Sequence, residues 1–204
     1  MEGVMTQDRV AAYLEQHQAK LALMAAMWAD PMVQCYQDAD LPADFRDRDS
    51  VFLAGPTSRH QTLMSNWRCE AVRFLREAGF EGYIFVPEPR GKEEEGDFTE
   101  RDYIHWWESN RLFAAKKKAF WVPRDGNELL GLNTNFEWAY FLGRKAAGEM
   151  FPIFIGWPNG AARMGLPHHY SMERTGCHRF TNLRGMCNAI ADKFSQDDVT
   201  YDFG

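Results

Sequence analysis

Short apolar segments alternate with amphipathic segments along the chain from residue 51 onwards. The apolar segments end at a glycine or a proline, which is typical of a buried β-strand followed by a turn. The segments between them carry apolar residues at three- and four-residue steps, which indicates helices. The pattern predicts strands over residues 51–54, 83–86, 119–122, 151–155 and 177–180, and helices over 67–78, 100–115, 134–147 and 183–194.

This alternation predicts an α/β fold. Strands that alternate with helices are joined by right-handed crossovers, and the helices then cover both faces of a parallel sheet of about five strands. In such folds ligands bind beyond the carboxyl ends of the strands, in the crevice where the strand order reverses. We therefore expect functional residues in the segments that follow the strands, namely 55–60, 87–91, 123–134 and the residues after 156.

The first fifty residues have a different character. Apolar positions recur at helical steps over residues 7–37, and Pro31 is expected to break or kink that helix. Residues 38–50 are charged and without a period, which indicates a linker or an extended wrap. The sequence therefore predicts an N-terminal helical extension over 1–50, for packing or oligomer contacts, and an α/β domain over 51–204.

Composition narrows the classes of function. The chain has 204 residues, of which 45% are hydrophobic and 25% charged, as in globular proteins. The net charge of -6, with residues 116–118 as the densest basic run, argues against a nucleic acid duplex as partner. No apolar run approaches the ~20 residues of a membrane helix. The polar N-terminus lacks a secretory signal, and four cysteines without C-x-x-C spacing favour free thiols in the cytoplasm.

The turn after the first strand is one candidate site. Gly55 and Pro56 allow close approach of a ligand to the backbone. Thr57, Ser58 and Arg59 offer hydrogen bonds to a sugar or a phosphate. The alternative is a plain turn between strand and helix, since the segment is neither a dinucleotide-binding fingerprint nor a P-loop.

A second candidate lies at the start of the third helix of the α/β domain, where Asn133, Thr134 and Glu137 occur. Thr134 and Glu137 have the spacing of a capping box, and local pattern favours that interpretation. The same geometry would place a carboxylate in the first helical turn, where the helix dipole favours its ionised form. An ionised carboxylate is what a nucleophile at a sugar carbon must be.

The preceding helix contributes Trp106, Trp107 and Glu108. One tryptophan is expected to face the core, and the other could stack on a planar ring. Most single helical glutamates are solvated, so Glu108 alone indicates little. A scatter of histidines and cysteines near the C-terminus has no zinc-site spacing, and we predict no metal there: His168, His169, Cys177, His178 and Cys187.

Taken in order, several of these pieces resemble the nucleoside 2-deoxyribosyltransferase-like family. The resemblance covers about half of the chain, and each piece falls at a strand end or a helix start. The pieces are Val51-Phe-Leu-Ala-Gly-Pro56, Trp67-Arg68, Phe85-Val-Pro-Glu88, Trp107-Glu108 with Leu112, Phe120-Trp-Val-Pro123 and Thr134-x-x-Glu137.

The resemblance implies a flavodoxin-like three-layer α/β sandwich and an enzyme that cleaves the N-glycosidic bond of a nucleoside or nucleotide. Glu137 matches the nucleophile that attacks C1′ of the sugar, Glu108 a helix carboxylate that contacts the departing base, and Gly55 the loop against the substrate. A second base or water then accepts the sugar. Neither step needs a metal or redox cofactor. The family also implies a homo-oligomer.

The sequence departs from the family's pattern as well. An aspartate that the transferases carry six residues before the nucleophile corresponds here to Gly131, so Asp125 or Glu128 would have to supply it. Three interpretations follow: a deoxyribosyltransferase-like enzyme, a nucleoside 5′-monophosphate N-glycosidase that holds the phosphate with Ser58 and Arg59, and a nucleotide-binding module without catalysis.

Overall fold

The sheet of the protein is built from six parallel strands. A computed structural model describes residues 7–57, 67–90, 101–125 and 131–192, and the strands lie within these ranges. Their order across the sheet is β1-β3-β2-β4-β5-β6. The strands are β1 Val33–Gln34, β2 Ser50–Ala54, β3 Tyr83–Phe85, β4 Lys117–Trp121, β5 Ile153–Gly156 and β6 Arg179–Phe180.

Helices cover both faces of this sheet. Val51 and Leu53 of β2 belong to a core shared with α1, α2 and α6, whereas Phe52 and Ala54 belong to a core shared with α3 and α4. This alternation follows from the two-residue period of a strand. The architecture is a flavodoxin-like α/β sandwich. The helices are α1 Gln7–Ala29, α2 Trp67–Glu77, α3 Arg101–Ala114, α4 Leu132–Ala146, α5 Gly165–His168, which continues into a π-helical turn His169–Arg174, and α6 Leu183–Ala191.

The predicted parallel sheet with helices on both faces is confirmed. The strand order reverses beside β2, which pairs with β3 on one side and with β4 on the other. The crevice expected from that reversal lies beyond Ala54 and Trp121, the last residues of β2 and β4. No helix in the described part of the chain combines the length and hydropathy needed to cross a membrane.

Helix α1 ends at Ala29, so the predicted break at Pro31 is confirmed, whereas the helix predicted to continue to residue 37 is wrong. The chain turns there because the carboxylate of Asp30 accepts a hydrogen bond from the backbone N–H of Met32 at 2.9 Å, and Pro31 cannot continue the helix. Val33 then pairs with Ile84 of β3. The residues expected to form a helix and a linker ahead of the fold thus supply an edge strand, which explains six strands instead of about five.

Candidate active site

A cavity of about 400 Å³ opens at the carboxyl ends of β2 and β3, beside the first turns of α4. It shares the end of β2 with the crevice that the strand order predicts, and its other strand-end residues follow β3. Its walls bring together residues that are far apart in sequence. Seven of the candidate site residues named from the sequence line it, namely Gly55, Pro56, Thr57, Glu108, Asn133, Thr134 and Glu137.

Gly55 forms part of the cavity wall at the end of β2, where the backbone leaves no room for a side chain. A Cβ atom at this position would lie 2.2 Å from the backbone oxygen of Trp121 and 2.6 Å from the ring of Trp67. Trp67 in turn donates its indole N–H to the backbone oxygen of Pro56 at 3.1 Å. Glycine is therefore required by close packing here. The predicted contacts from Ser58 and Arg59 lie outside the described residues.

Arg68 and Glu88 form one wall of the cavity, and we name them the paired wall. Their side chains are 2% and 4% exposed, and Nη1 of Arg68 donates to Oε1 of Glu88 at 2.5 Å. Arg68 also donates to the backbone oxygens of Leu53 and Gly55 at 3.1 and 2.7 Å, and to Oγ1 of Thr57 at 3.0 Å. The guanidinium is thus engaged on all its nitrogens. Both residues belong to the family-like pieces, but their pairing could not be predicted from local pattern.

The lining also contains Glu108 of α3 and Glu137 of α4, which we name the unpaired wall. Tyr36 lies with them in the cavity lining, and its hydroxyl donates to Oε1 of Glu108 at 2.5 Å. Burial raises the pKa of Tyr36, and the charge of Glu108 raises it further. The phenol therefore stays protonated and remains a donor. Sequence reasoning missed Tyr36 because it lies in a stretch predicted to be helical and without chemistry.

Helix α3 holds the segment that carries Tyr36. Tyr103, Trp107 and Arg111 stand four residues apart, so they share one face of the helix. The hydroxyl of Tyr103 donates to the backbone oxygen of Tyr36 at 2.6 Å. Trp107 donates its indole N–H to the backbone oxygen of Asp38 at 2.9 Å, and Arg111 donates to the same oxygen at 3.1 Å. The segment 36–38 is thereby fixed against the site.

This arrangement corrects the expectation for Trp107, one of the two tryptophans that could stack on a planar ring of the substrate. Trp107 is 0% exposed, and its ring packs among Tyr36, Phe52 and Phe85. Trp106, the other member of the pair, is 47% exposed and packs against Tyr103 in a tilted arrangement, with 5.7 Å between the ring centroids. One tryptophan therefore faces the core as expected, but neither ring lines the cavity.

The capping box predicted at Thr134 is also wrong. Helix α4 begins at Leu132, because Gly131 adopts a left-handed conformation with φ of 60° and serves as the N-cap without any side-chain hydrogen bond. Thr134 is already the third helical residue and is buried at 4% exposure. Glu137 consequently lies in the second turn of the helix, beyond the free N–H groups of the first.

The electrostatic environment of Glu137 differs from the expectation for the same reason. Burial raises its pKa to about 7, the neighbouring charge of Glu108 adds to that increase, and Arg68 opposes it. The helix terminus was expected to favour the ionised form. The structure instead describes a carboxyl group that exchanges its proton near neutral pH, beside a second carboxylate.

Two further groups of residues considered in the sequence analysis are not part of this cavity. Asp125, proposed to replace the missing aspartate, follows β4 but does not line the cavity, and Glu128 lies outside the described residues. The histidine and cysteine scatter gathers no cluster suited to a metal within the residues described. The chemistry that the cavity offers is therefore that of two carboxyl groups, one phenol and one neutralised ion pair.

No protein-family model matches the chain, and no curated protein matches it either. A functional interpretation therefore depends on the geometry of the cavity and on the residues that resemble the deoxyribosyltransferase-like pieces. Two neighbouring carboxyl groups that share a cavity can divide the roles of nucleophile and proton donor, which is the arrangement used to cleave glycosidic bonds.

Proposed function

We propose that the protein cleaves the N-glycosidic bond of a nucleoside or nucleotide and transfers the sugar through a covalent ester with Glu137. The observation that carries the proposal is the unpaired wall. Glu108 and Glu137 line the same cavity, and the pKa of Glu137 is raised to about 7. The ordered pieces that resemble the nucleoside 2-deoxyribosyltransferase-like family support the same chemistry.

The reaction needs one proton from the two carboxyl groups. Because its raised pKa keeps a proton on Glu137 up to about pH 7, that proton must pass to Glu108 before the reaction. The ionised Glu137 then attacks C1′ while the C1′–N bond breaks, and the electron pair of that bond leaves with the base. Glu108 donates the proton to the departing nitrogen. A second base or water then attacks C1′ from the opposite face and releases Glu137, so the sugar keeps its configuration. In either case the ionised Glu108 takes up the proton that the attacking base or water loses, which restores the starting state.

The charges of the cavity favour a nucleoside over a nucleotide. Among the described residues that line the cavity, Arg68 is the one basic side chain, and its donors are engaged by Glu88, Thr57 and backbone oxygens. A 5′-phosphate would meet three glutamates, and a monophosphate N-glycosidase would have to recruit Ser58 and Arg59. We therefore place the nucleoside transferase first and the nucleotide hydrolase second.

The proposal is tested by incubating the protein with nucleosides and 5′-monophosphates, with and without a second base, and separating the products by chromatography. We expect base release from the wild type and an exchanged nucleoside when a second base is present. Glu137→Gln should lower the rate by at least ~10³-fold, as expected for loss of a nucleophile. The matched control is Glu70→Gln, which makes the same substitution at an exposed helical position.

Each outcome selects one interpretation. Free sugar phosphate without exchange would favour the nucleotide hydrolase. Stabilisation by a nucleoside without any base release would favour a binding module. Normal turnover by Glu137→Gln would contradict the assignment of the nucleophile.

A further inference from the structure

A second chamber adjoins the proposed active site. It has a volume of about 430 Å³, lies between α3 and α4, and shares Glu108, Asn133 and Glu137 with the first cavity. Each cavity has a volume within the ~300–1,000 Å³ of small-molecule sites. The two carboxyl groups of the unpaired wall therefore stand where two chambers meet.

The walls of this second chamber are aromatic. On α4, Asn133, Glu137 and Tyr140 follow at three- and four-residue steps, and so they lie on the face that also carries Phe136 and Phe141. Phe113 of α3 completes the wall, with its ring centroid 5.5 Å from that of Tyr140 and 5.4 Å from that of Phe141.

These rings are unusually exposed for their size. Phe136 is 78% exposed, Tyr140 52% and Phe113 50%. Contiguous exposed apolar surface beside a cavity commonly marks a binding site. The rings present flat apolar surface, whereas the first cavity presents charged side chains and strand ends. The two chambers therefore suit the two halves of a nucleoside differently.

We propose that the aromatic chamber holds the heterocyclic base of the nucleoside, and that the polar cavity holds the sugar. This inference rests on the proposed function and adds the location of the base. Nucleobases stack on aromatic side chains through their flat faces, and sugar hydroxyls need polar partners. A nucleoside that spans both chambers places its C1′–N bond at Glu137 and Glu108. The same chamber then receives the incoming base after the first has left.

The test measures binding of free bases, which needs no turnover. In a Glu137→Gln background, titration calorimetry with adenine, hypoxanthine, cytosine and thymine should detect at least one bound base. Phe136→Ala and Tyr140→Ala should each raise its Kd by about tenfold or more, since stacking on one ring contributes on that order. Tyr170→Ala is the matched control, because Tyr170 is 55% exposed and lies outside both chambers. The Kd of the base for the Tyr170→Ala variant should equal its Kd for the Glu137→Gln protein without further substitution.

Three results would overturn the inference: no base binds, both aromatic variants bind normally, or the variants change only the oligomeric state in size-exclusion chromatography. The last result would mean that a second copy of the chain covers the rings. The test is separate from that of the proposed function. One outcome is that the wild type cleaves no nucleoside while free bases still bind and Phe136→Ala weakens that binding. This result would support the assignment of the aromatic chamber to the base and contradict the proposed glycosidic chemistry. If nucleosides are cleaved while the aromatic variants bind bases normally, the chemistry stands and the chamber fails.

Discussion

The two walls of the cavity carry the same kind of side chain in opposite electrostatic situations. Glu88 on the paired wall is buried at 4% exposure against Arg68, which also binds the end of β2 through the oxygens of Leu53 and Gly55. Glu108 and Glu137 on the unpaired wall face each other's charge instead. A neutralised carboxylate fixes the loop geometry, whereas an uncompensated one becomes able to hold and release a proton near neutral pH.

The largest effect on stability is expected from removing the cation of the paired wall. Arg68→Met leaves the carboxylate of Glu88 buried without a partner, and breaking a buried pair in this way costs about 3–5 kcal/mol. The free energy of unfolding, measured by urea denaturation at pH 7, should fall by that amount.

The double variant Arg68→Met/Glu88→Gln separates charge from packing. It carries no buried charge at this position, so it should be more stable than Arg68→Met alone, although the backbone oxygens that Arg68 bound remain without their donor. Equal stability of the single and double variants would mean that the guanidinium matters for its bonds to the backbone and that the pairing with Glu88 contributes little.

On the unpaired wall, we expect Glu137→Gln to change the free energy of unfolding by a smaller amount and in the opposite direction. Folding raises the pKa of Glu137 from 4.5 to about 7. Between these values the folded protein binds more protons than the unfolded chain, so this group lowers stability as the pH rises and has its full cost above pH 7. Glu137→Gln removes that cost. It should therefore stabilise the protein at pH 8 by up to about 3 kcal/mol, since one pKa unit is about 1.4 kcal/mol.

Urea unfolding at several pH values checks this expectation. The difference between Glu137→Gln and the wild type should disappear near pH 4, where the carboxyl group is protonated in both states. The exposed Glu70→Gln variant reports how much of any change comes from the amide alone. A stabilisation that does not change with pH would contradict the raised pKa and weaken the contrast between the two walls.

The sequence predicts the sheet well because its signals are local. Each buried strand is a short apolar run closed by glycine or proline, and the alternation with helices sets the parallel arrangement and the position of the crevice. The edge strand Val33–Gln34 has two residues, too few to show a period, and it forms only because β3 offers it a partner. Its prediction would require knowledge of the sheet.

The residues of the candidate site also differ in how far they could be predicted from the sequence. Gly55 could be named in advance because it follows a predicted strand, whereas the roles of Glu108 and Glu137 follow from the ordered pieces that resemble the family, since local pattern favours a solvated glutamate and a capping residue. Tyr36 could not be named, since its hydroxyl meets Glu108 across 72 positions of sequence. The protonation behaviour of Glu137 also depends on burial and on a neighbour from another helix, so local pattern suggested the wrong sign.

The smallest effect is expected from Tyr36→Phe, which removes one hydroxyl from the unpaired wall and keeps the ring. That hydroxyl donates to Glu108 at 2.5 Å, and a hydrogen bond to a charged group contributes about 1.5–3 kcal/mol. We infer that it positions Glu108 for proton transfer to the departing base. Base-release kinetics should then show a kcat lowered by about tenfold to a hundredfold with KM nearly unchanged, because the other contacts of the cavity remain.

Tyr83→Phe is the matched control, because the hydroxyl of Tyr83 also donates to a carboxylate, that of Asp44, at 2.5 Å, and neither residue lines the cavity. Both variants lose the same chemical group, but only Tyr36→Phe should lower kcat. Equal kcat values in the two variants would mean that Tyr36 serves only to fasten its segment to α3. Glu108 would then be positioned by helix α3 alone. The two walls would still differ in charge, but Tyr36 would not be a positioning residue of the unpaired wall.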